Sequence, residues 1–218
     1  MSLIVQAING IKENVSYHGV AAAASGPGKN GGEYRHIWPR DSIFVGLEML
    51  KWNKTLGEEI LLRTALLPTW NGLLFQRYEL NGIADSDAWC NVEGRRQLDQ
   101  DALKFIAIAR VDDKHSKTKM FEDFQKFVEV IKSRETATDV WEQKQGYFFY
   151  TTAAVLWAIQ EGEKYFGVET GLKAELMKSL ERYWDEKQKS FVKSPFEKIV
   201  DLEVVLALNI LLENGLFN

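Results

Sequence analysis

Two kinds of helical pattern alternate along this chain, and no other feature of the sequence narrows the fold as far. In KTKMFEDFQKFVEVIK (117–132) the apolar residues Phe121, Phe124, Val128 and Ile131 recur at steps of three and four with charges between them, the pattern of a helix with one wet face. ETGLKAELMKSLERYW (169–184) repeats it through Leu172, Leu176, Leu180 and Tyr183. By contrast DALKFIAIA (101–109), FFYTTAAVLWAI (148–159) and DLEVVLALNILL (201–212) are apolar nearly all round, as helices enclosed on every side are. In chain order the second half therefore runs buried, amphipathic, buried, amphipathic, buried. That order predicts an all-α, layered arrangement of αα-hairpins, with inner members lining a core and outer members coating it. Only GLLFQRYEL (72–80) beside Asn81-Gly82 carries a strand signal, and it predicts one small hairpin. No linker or low-complexity tract divides the chain, so a single domain over residues 1–218 is expected.

Composition removes several functional classes. A chain of 218 residues buries about 70% of the surface that its unfolded form exposes, enough for a substantial core. A net charge of -4 offers no attraction to phosphate backbones or anionic lipid, so neither nucleic acid nor membrane is an expected partner. Cys90 is the single cysteine, and His18, His36 and His115 lack metal-ligand spacing, so no structural metal and no cofactor is expected. The glycine-rich AAAASGPGKNGGEY (21–34) reads as a loop; Gly28-Lys29-Asn30 is not a phosphate-binding P-loop, because no Ser or Thr follows the lysine. The N-terminus lacks the pattern of a secretory signal, and the longest strongly apolar charge-free run, Gln145 to Gln160, is too short to span a membrane. A cytoplasmic protein is the expectation.

Three polar-aromatic clusters interrupt the helical pattern, each at the mouth of a helix: YRHIWPRD (34–41), EGRRQLDQDAL (93–103) and DVWEQKQG (139–146). The starts of inner helices gather at one end of such a layer, so these clusters are expected to meet there in a pocket. Trp38 and Trp141 bring flat apolar faces, Arg40 and Arg95 forked donors, and Asp41, Asp99, Asp139 and Glu142 acceptors. That mixture suits a sugar, which presents apolar C–H faces and hydroxyls that both donate and accept. Each residue taken singly has a plainer reading. Asp41 and Asp139 fit as acids in the first turn of a helix, Arg95 and Arg96 as a solvated pair, and Glu142 as a surface glutamate. Trp52, Trp70, Trp157 and Trp184 read as core aromatics at helical spacing.

Tyr34 with WPRD (38–41), GRRQLDQDAL (94–103), and DVWEQKQG (139–146) followed by FFYTTA resemble, in order and approximate spacing, the motifs of the glucoamylase family of inverting glycoside hydrolases, which also includes some trehalases and glucodextranases. The resemblance runs from about Gly19 to about Leu208 and rests most on Asp-x-Trp-Glu backed by Trp-x-Arg-Asp. It implies a toroid of six helical hairpins, an (α/α)6 barrel, of which about eight helices can be counted here. A shortened barrel, a fragment, or a half completed by a second subunit or further copy of the chain all fit that count.

The resemblance further implies hydrolysis of α-linked glucosides, with Glu142 as the general acid. Arg40 and Asp41 would hold sugar hydroxyls, and Tyr34, Trp38 and Trp141 would form the apolar wall. Arg95 and the Val140 backbone would add hydrogen bonds. Gln143 stands where the family usually has a second glutamate, and puts a neutral contact at the next sugar. Enclosure beside Trp141 would keep Glu142 protonated near neutral pH, as an acid catalyst requires. No segment matches the family's catalytic base, which leaves Asp99, Asp41 and Glu203 as in-chain candidates. The rival expectations are a sugar-binding or regulatory homologue that lacks the base, and a helical scaffold that binds protein.

Overall fold

The structure, a computed structural model, describes residues 3–21, 35–86, 88, 96–134, 136–139 and 143–216. Among these lie eight α-helices and only six two-residue strands, so the fold is all-α as the alternation predicts. The chain divides into two compact units, Met1–Trp70 with Leu74–Cys90, and Asn71–Leu73 with Asn91–Asn218.

The first unit contains α1 (Leu3–Asn14), α2 (Pro39–Trp52) and α3 (Lys54–Ala65). Pro39 opens α2, where its missing N–H forfeits no hydrogen bond. Asn53 separates α2 from α3 and caps the second, its side-chain oxygen accepting from Leu56 N at 3.2 Å. The two helices then fold back on one another. Ser42 Oγ lies 2.7 Å from Thr64 Oγ1, and a Cβ on Gly57 would come within 2.6 Å of the Leu50 backbone nitrogen. Glycine at 57 is therefore what lets the two backbones touch. Further along, Tyr78 bridges antiparallel to both Ile37 and Ala84. Gly82, at φ 80°, donates to Glu79 O at 2.9 Å in the intervening turn, so Asn81-Gly82 forms the small hairpin that the sequence predicts. Ile37, Leu67, Leu74 and Tyr78 pack as a core cluster beside it.

The second unit holds α4 (Leu98–Val111), α5 (Lys117–Lys132), α6 (Phe149–Phe166), α7 (Leu172–Ser179) and α8 (Leu202–Glu213). Burial is continuous from Leu98 to Ile108 in α4 and from Phe149 to Ile159 in α6. In α5 it is confined to one face, Met120, Asp123, Phe124, Phe127 and Val128, and in α7 to Leu172. Inner and outer helices thus alternate as their patterns predict. Phe105, Phe124 and Phe127 pack ring to ring between α4 and α5, with centroids 5.0 to 6.5 Å apart.

Two expectations need correction. α8 is not enclosed on every side: it buries Glu203, Val204, Ala207, Ile210 and Leu211 but exposes Leu202, Val205 and Leu212. Nor are all four tryptophans core. Trp157 is buried, whereas Trp52, Trp70 and Trp184 are 54, 60 and 40% exposed. In Trp52 and Trp184 the indole N–H donates at 3.0 Å to the surface glutamates Glu48 and Glu186, so the polar edge of the ring holds it at the surface. Among the described residues no helix is long and apolar enough to cross a membrane.

Candidate active site

The polar residues that the sequence singles out fall in both units. In the first, Ile37 and Tyr78 exchange backbone hydrogen bonds of 2.8 and 2.9 Å, which fix the chain just before α2. Trp38, the residue capping α2, is half-buried, and the Arg77 guanidinium lies 5.8 Å from its ring centroid. Its Nε1–H is enclosed and meets no acceptor among the described residues. Arg40, half-buried, and Asp41, exposed, occupy the first turn of α2, where the helix dipole favours the carboxylate. Asp85 ties this segment to the 78–84 hairpin. One of its oxygens accepts from Arg77 Nε at 2.8 Å and lies 2.9 Å from His36 Nε2, with Glu79 a further 3.5 Å from that nitrogen. His36, Glu79 and Asp85 bring potential metal ligands within 4.8 Å of one another, but a cation there would have to displace or face the guanidinium already on Asp85.

In the second unit Asp139 organises the described residues of DVWEQKQG. The strands Ala137–Thr138 and Gln145–Gly146 pair antiparallel, and Asp139 N–H donates to Lys144 O at 2.9 Å. The Asp139 side chain, fully buried, turns back on the same loop. Its Oδ1 accepts the backbone N–H of Gln143 at 2.7 Å and of Lys144 at 3.0 Å. Its Oδ2 accepts from Lys193 Nζ at 2.8 Å. Burial pushes its carboxyl up, but the hydrogen bonds from Lys193, Lys144 and Gln143 outweigh that and hold it below the usual range. Asp139 therefore does not sit in the first turn of a helix, as its plainer reading has it; it binds Gln143 and Lys144 instead.

Lys193 carries the cluster further. Its ammonium is 3.4 Å from Glu203 Oε1 and 3.8 Å from Asp201 Oδ2, both at the start of α8. Burial pulls the lysine pKa down, but its hydrogen bond to Asp139 and the charges of Glu203, Asp139 and Asp201 raise it overall. Burial pushes Glu203 up to about 7, an effect that the Lys193 charge offsets only in part. A carboxyl so placed is half protonated at neutral pH. Asp99, in the first turn of α4, is also wholly buried. Of the three in-chain candidates for a water-activating base, only Asp41 is exposed.

Tyr34, Arg95, Val140, Trp141 and Glu142 lie outside the described residues. Gln143 is exposed, with its backbone committed to Asp139. No sequence pattern described above names Lys193 or Asp201. A lysine inside the short apolar stretch SFVKSPF is the one signal that pointed to the first, and its partner lies 54 residues away. A cavity of about 450 Å³ opens in the second unit between α5, α6 and α7, lined among others by Tyr147, Thr151, Glu175 and Arg182. None of the expected site residues that the structure describes lines it.

Three solved structures similar to this chain are glucoamylases. The Hormoconis resinae enzyme has a TM-score of 0.68 at 20% identity, over 93% of this chain and 41% of its own. A Saccharomycopsis fibuligera glucoamylase scores 0.61 at 19% identity, over 87% and 50%. A glycoside hydrolase family 15 glucoamylase from Hypocrea jecorina scores 0.67 at 19% identity, over 87% and 38%. The chain thus spans half or less of the length of each. No protein-family model matches it. No curated protein matches it either.

Proposed function

We propose, from the glucoamylase-type fold that this chain has, that it is a glycoside hydrolase acting on α-linked glucosides by single-step inversion, with Glu142 as the general acid. Arg40 and Asp41 hold hydroxyls of the sugar ring at the cleavage point; Tyr34, Trp38, Trp141 and Arg95 complete its wall, and Gln143 meets the next sugar. The chemistry needs no cofactor, and the partner is a carbohydrate. The observation that most supports this reading is Asp139. A buried carboxylate that gathers two backbone N–H groups and an ammonium is costly to enclose unless fully paired, and an ordinary surface loop needs no such closure. Here that carboxylate is the first residue of Asp-x-Trp-Glu.

Inversion also needs a carboxylate about 6.5 to 9.5 Å from the acid, with access to water. Asp41 meets the second condition; Asp99 and Glu203, both enclosed, do not. The test is to incubate the purified chain with maltose, trehalose and short α-glucans and follow released glucose and its anomeric form. Wild type should release β-glucose, and Glu142→Gln should lower the rate by about a hundred- to ten-thousandfold. Saturable sugar binding without turnover in the wild type would replace the hydrolase with a binding module. We also propose a cytoplasmic setting, which suits a chain with one cysteine.

A further inference from the structure

Lys193 is held from several sides. Its carbonyl accepts from Phe149 N, the first residue of α6, at 2.9 Å, and its own N–H donates to Ile199 O at 2.9 Å. The side chain is 5% exposed and reaches Asp139 at 2.8 Å, Glu203 at 3.4 Å and Asp201 at 3.8 Å. An ammonium has three donors and no acceptor, so one group here serves Asp139 and the start of α8 together. Asp139 Oδ1 is occupied by the Gln143 and Lys144 amides, and Oδ2 faces Lys193. Take the ammonium away and Asp139 either stays as a buried charge without its cation or takes up a proton. In both cases the grip on the two amides weakens.

We propose that Lys193 is a positioning residue: by fixing Asp139, whose carboxylate accepts the Gln143 and Lys144 amides, against the start of α8, it positions the segment that carries Glu142. The inference rests on the reading of Glu142 as the acid, because a segment with no catalytic group would need no such anchor. Misplacing a reacting group by about 1 Å can cost about a hundredfold in rate, so the anchor should show in turnover more than in substrate binding.

The experiment compares wild type with Lys193→Met, Lys193→Arg and Glu203→Gln, and reads amide hydrogen exchange by NMR alongside kcat and KM on the best α-glucoside. In Lys193→Met the Gln143 and Lys144 amides should exchange at least about tenfold faster while those of Phe105 and Ile106 in α4 do not change. Its kcat should fall about ten- to a hundredfold with KM within about twofold, and Lys193→Arg should recover most of the loss. Unchanged exchange at 143 and 144 in folded Lys193→Met overturns the proposal, and so does acceleration spread evenly over the core, which marks a merely structural lysine. If Lys193→Met does not fold, Glu203→Gln decides: it turns the nearer of the two carboxylates that face Lys193 from α8 into a neutral amide, and should speed the same two amides about threefold. No change there overturns the proposal equally. Should the wild type hydrolyse no α-glucoside, the hydrolase reading falls, and the exchange data still decide whether Lys193 fixes that segment.

Discussion

Lys104 and Lys193 are both enclosed in the second unit, and each meets a buried aspartate at nearly the same distance, 2.6 Å to Asp123 and 2.8 Å to Asp139. Their surroundings differ. Lys104 sits in mid-helix in α4 and pairs with Asp123 of α5, its third dimension closed by the Gly72 carbonyl at 3.0 Å. One ammonium faces one contacting carboxylate, and burial pulls the lysine pKa down further than Asp123 can raise it. Lys193 faces three carboxylates, which together raise its pKa in spite of burial. The first arrangement is a closed pair that locks α4 to α5. Among the described residues the second sets three carboxylates against one ammonium, and Glu203, enclosed there, retains a proton up to about pH 7. Titratable excess of that kind gathers at functional sites more often than in structural locks, and here it stands beside Asp139, the first residue of Asp-x-Trp-Glu.

The largest effect that would sharpen this contrast comes from the closed pair. Asp123→Ala leaves Lys104 buried without its carboxylate and should cost about 3 to 5 kcal/mol in urea denaturation. Replacing both partners, as Lys104→Met with Asp123→Leu, should recover most of that loss, since two apolar side chains fill the site without a charge to desolvate. If the double variant lost stability as heavily as the single one, the pair would not be the simple lock described here.

The next effect comes from the open cluster and has a defined pH window. Glu203 titrates near 7 when folded and near 4.5 in the unfolded chain. Between those values the folded protein keeps a proton that the unfolded chain has released, so stability falls as pH rises from 4.5 to 7 and the full cost remains above 7. The displacement, in which the charge of Lys193 is already counted, corresponds to at most about 3 kcal/mol. Asp139 acts outside this window, because its lowered pKa removes stability only as pH falls below 3.8. Glu203→Gln should therefore gain on the wild type by that amount between pH 4.5 and 7. Parallel stability curves for the two proteins would mean that Glu203 is ionised throughout and the cluster holds no excess proton.

The same contrast shows what a sequence can disclose. Local patterns were readable: the period of α5, the unbroken apolar runs of α4 and α6, and the Asn81-Gly82 turn each follow from residues within one element. What escaped depends on partners distant in sequence. DLEVVLALNILL is apolar all round, yet nothing in it says that Leu202, Val205 and Leu212 face water, because enclosure belongs to the neighbours and not to the helix. Asp139 read as a helix-start acid because its hydrogen bonds to residues 143 and 144 require a turn that composition does not announce. Glu203 is a candidate base on sequence grounds, but its surroundings cannot be read without Lys193, which meets it only through tertiary packing.

The smallest effect tests whether distance or burial sets the energy of these pairs. Lys144 Nζ meets Glu197 Oε1 at 2.6 Å, as close as Lys104 meets Asp123, but the two side chains are 56 and 24% exposed. Water solvates both charges whether or not they meet, and each loses rotamer freedom in meeting. Lys144→Ala removes that contact while leaving the backbone N–H that Asp139 accepts. It should cost about 0.2 to 1 kcal/mol at low salt, and the difference from wild type should shrink further as ionic strength rises. A loss as large as that of Asp123→Ala would show that proximity governs these pairs, and the distinction between a dry lysine and a wet one would fall with it.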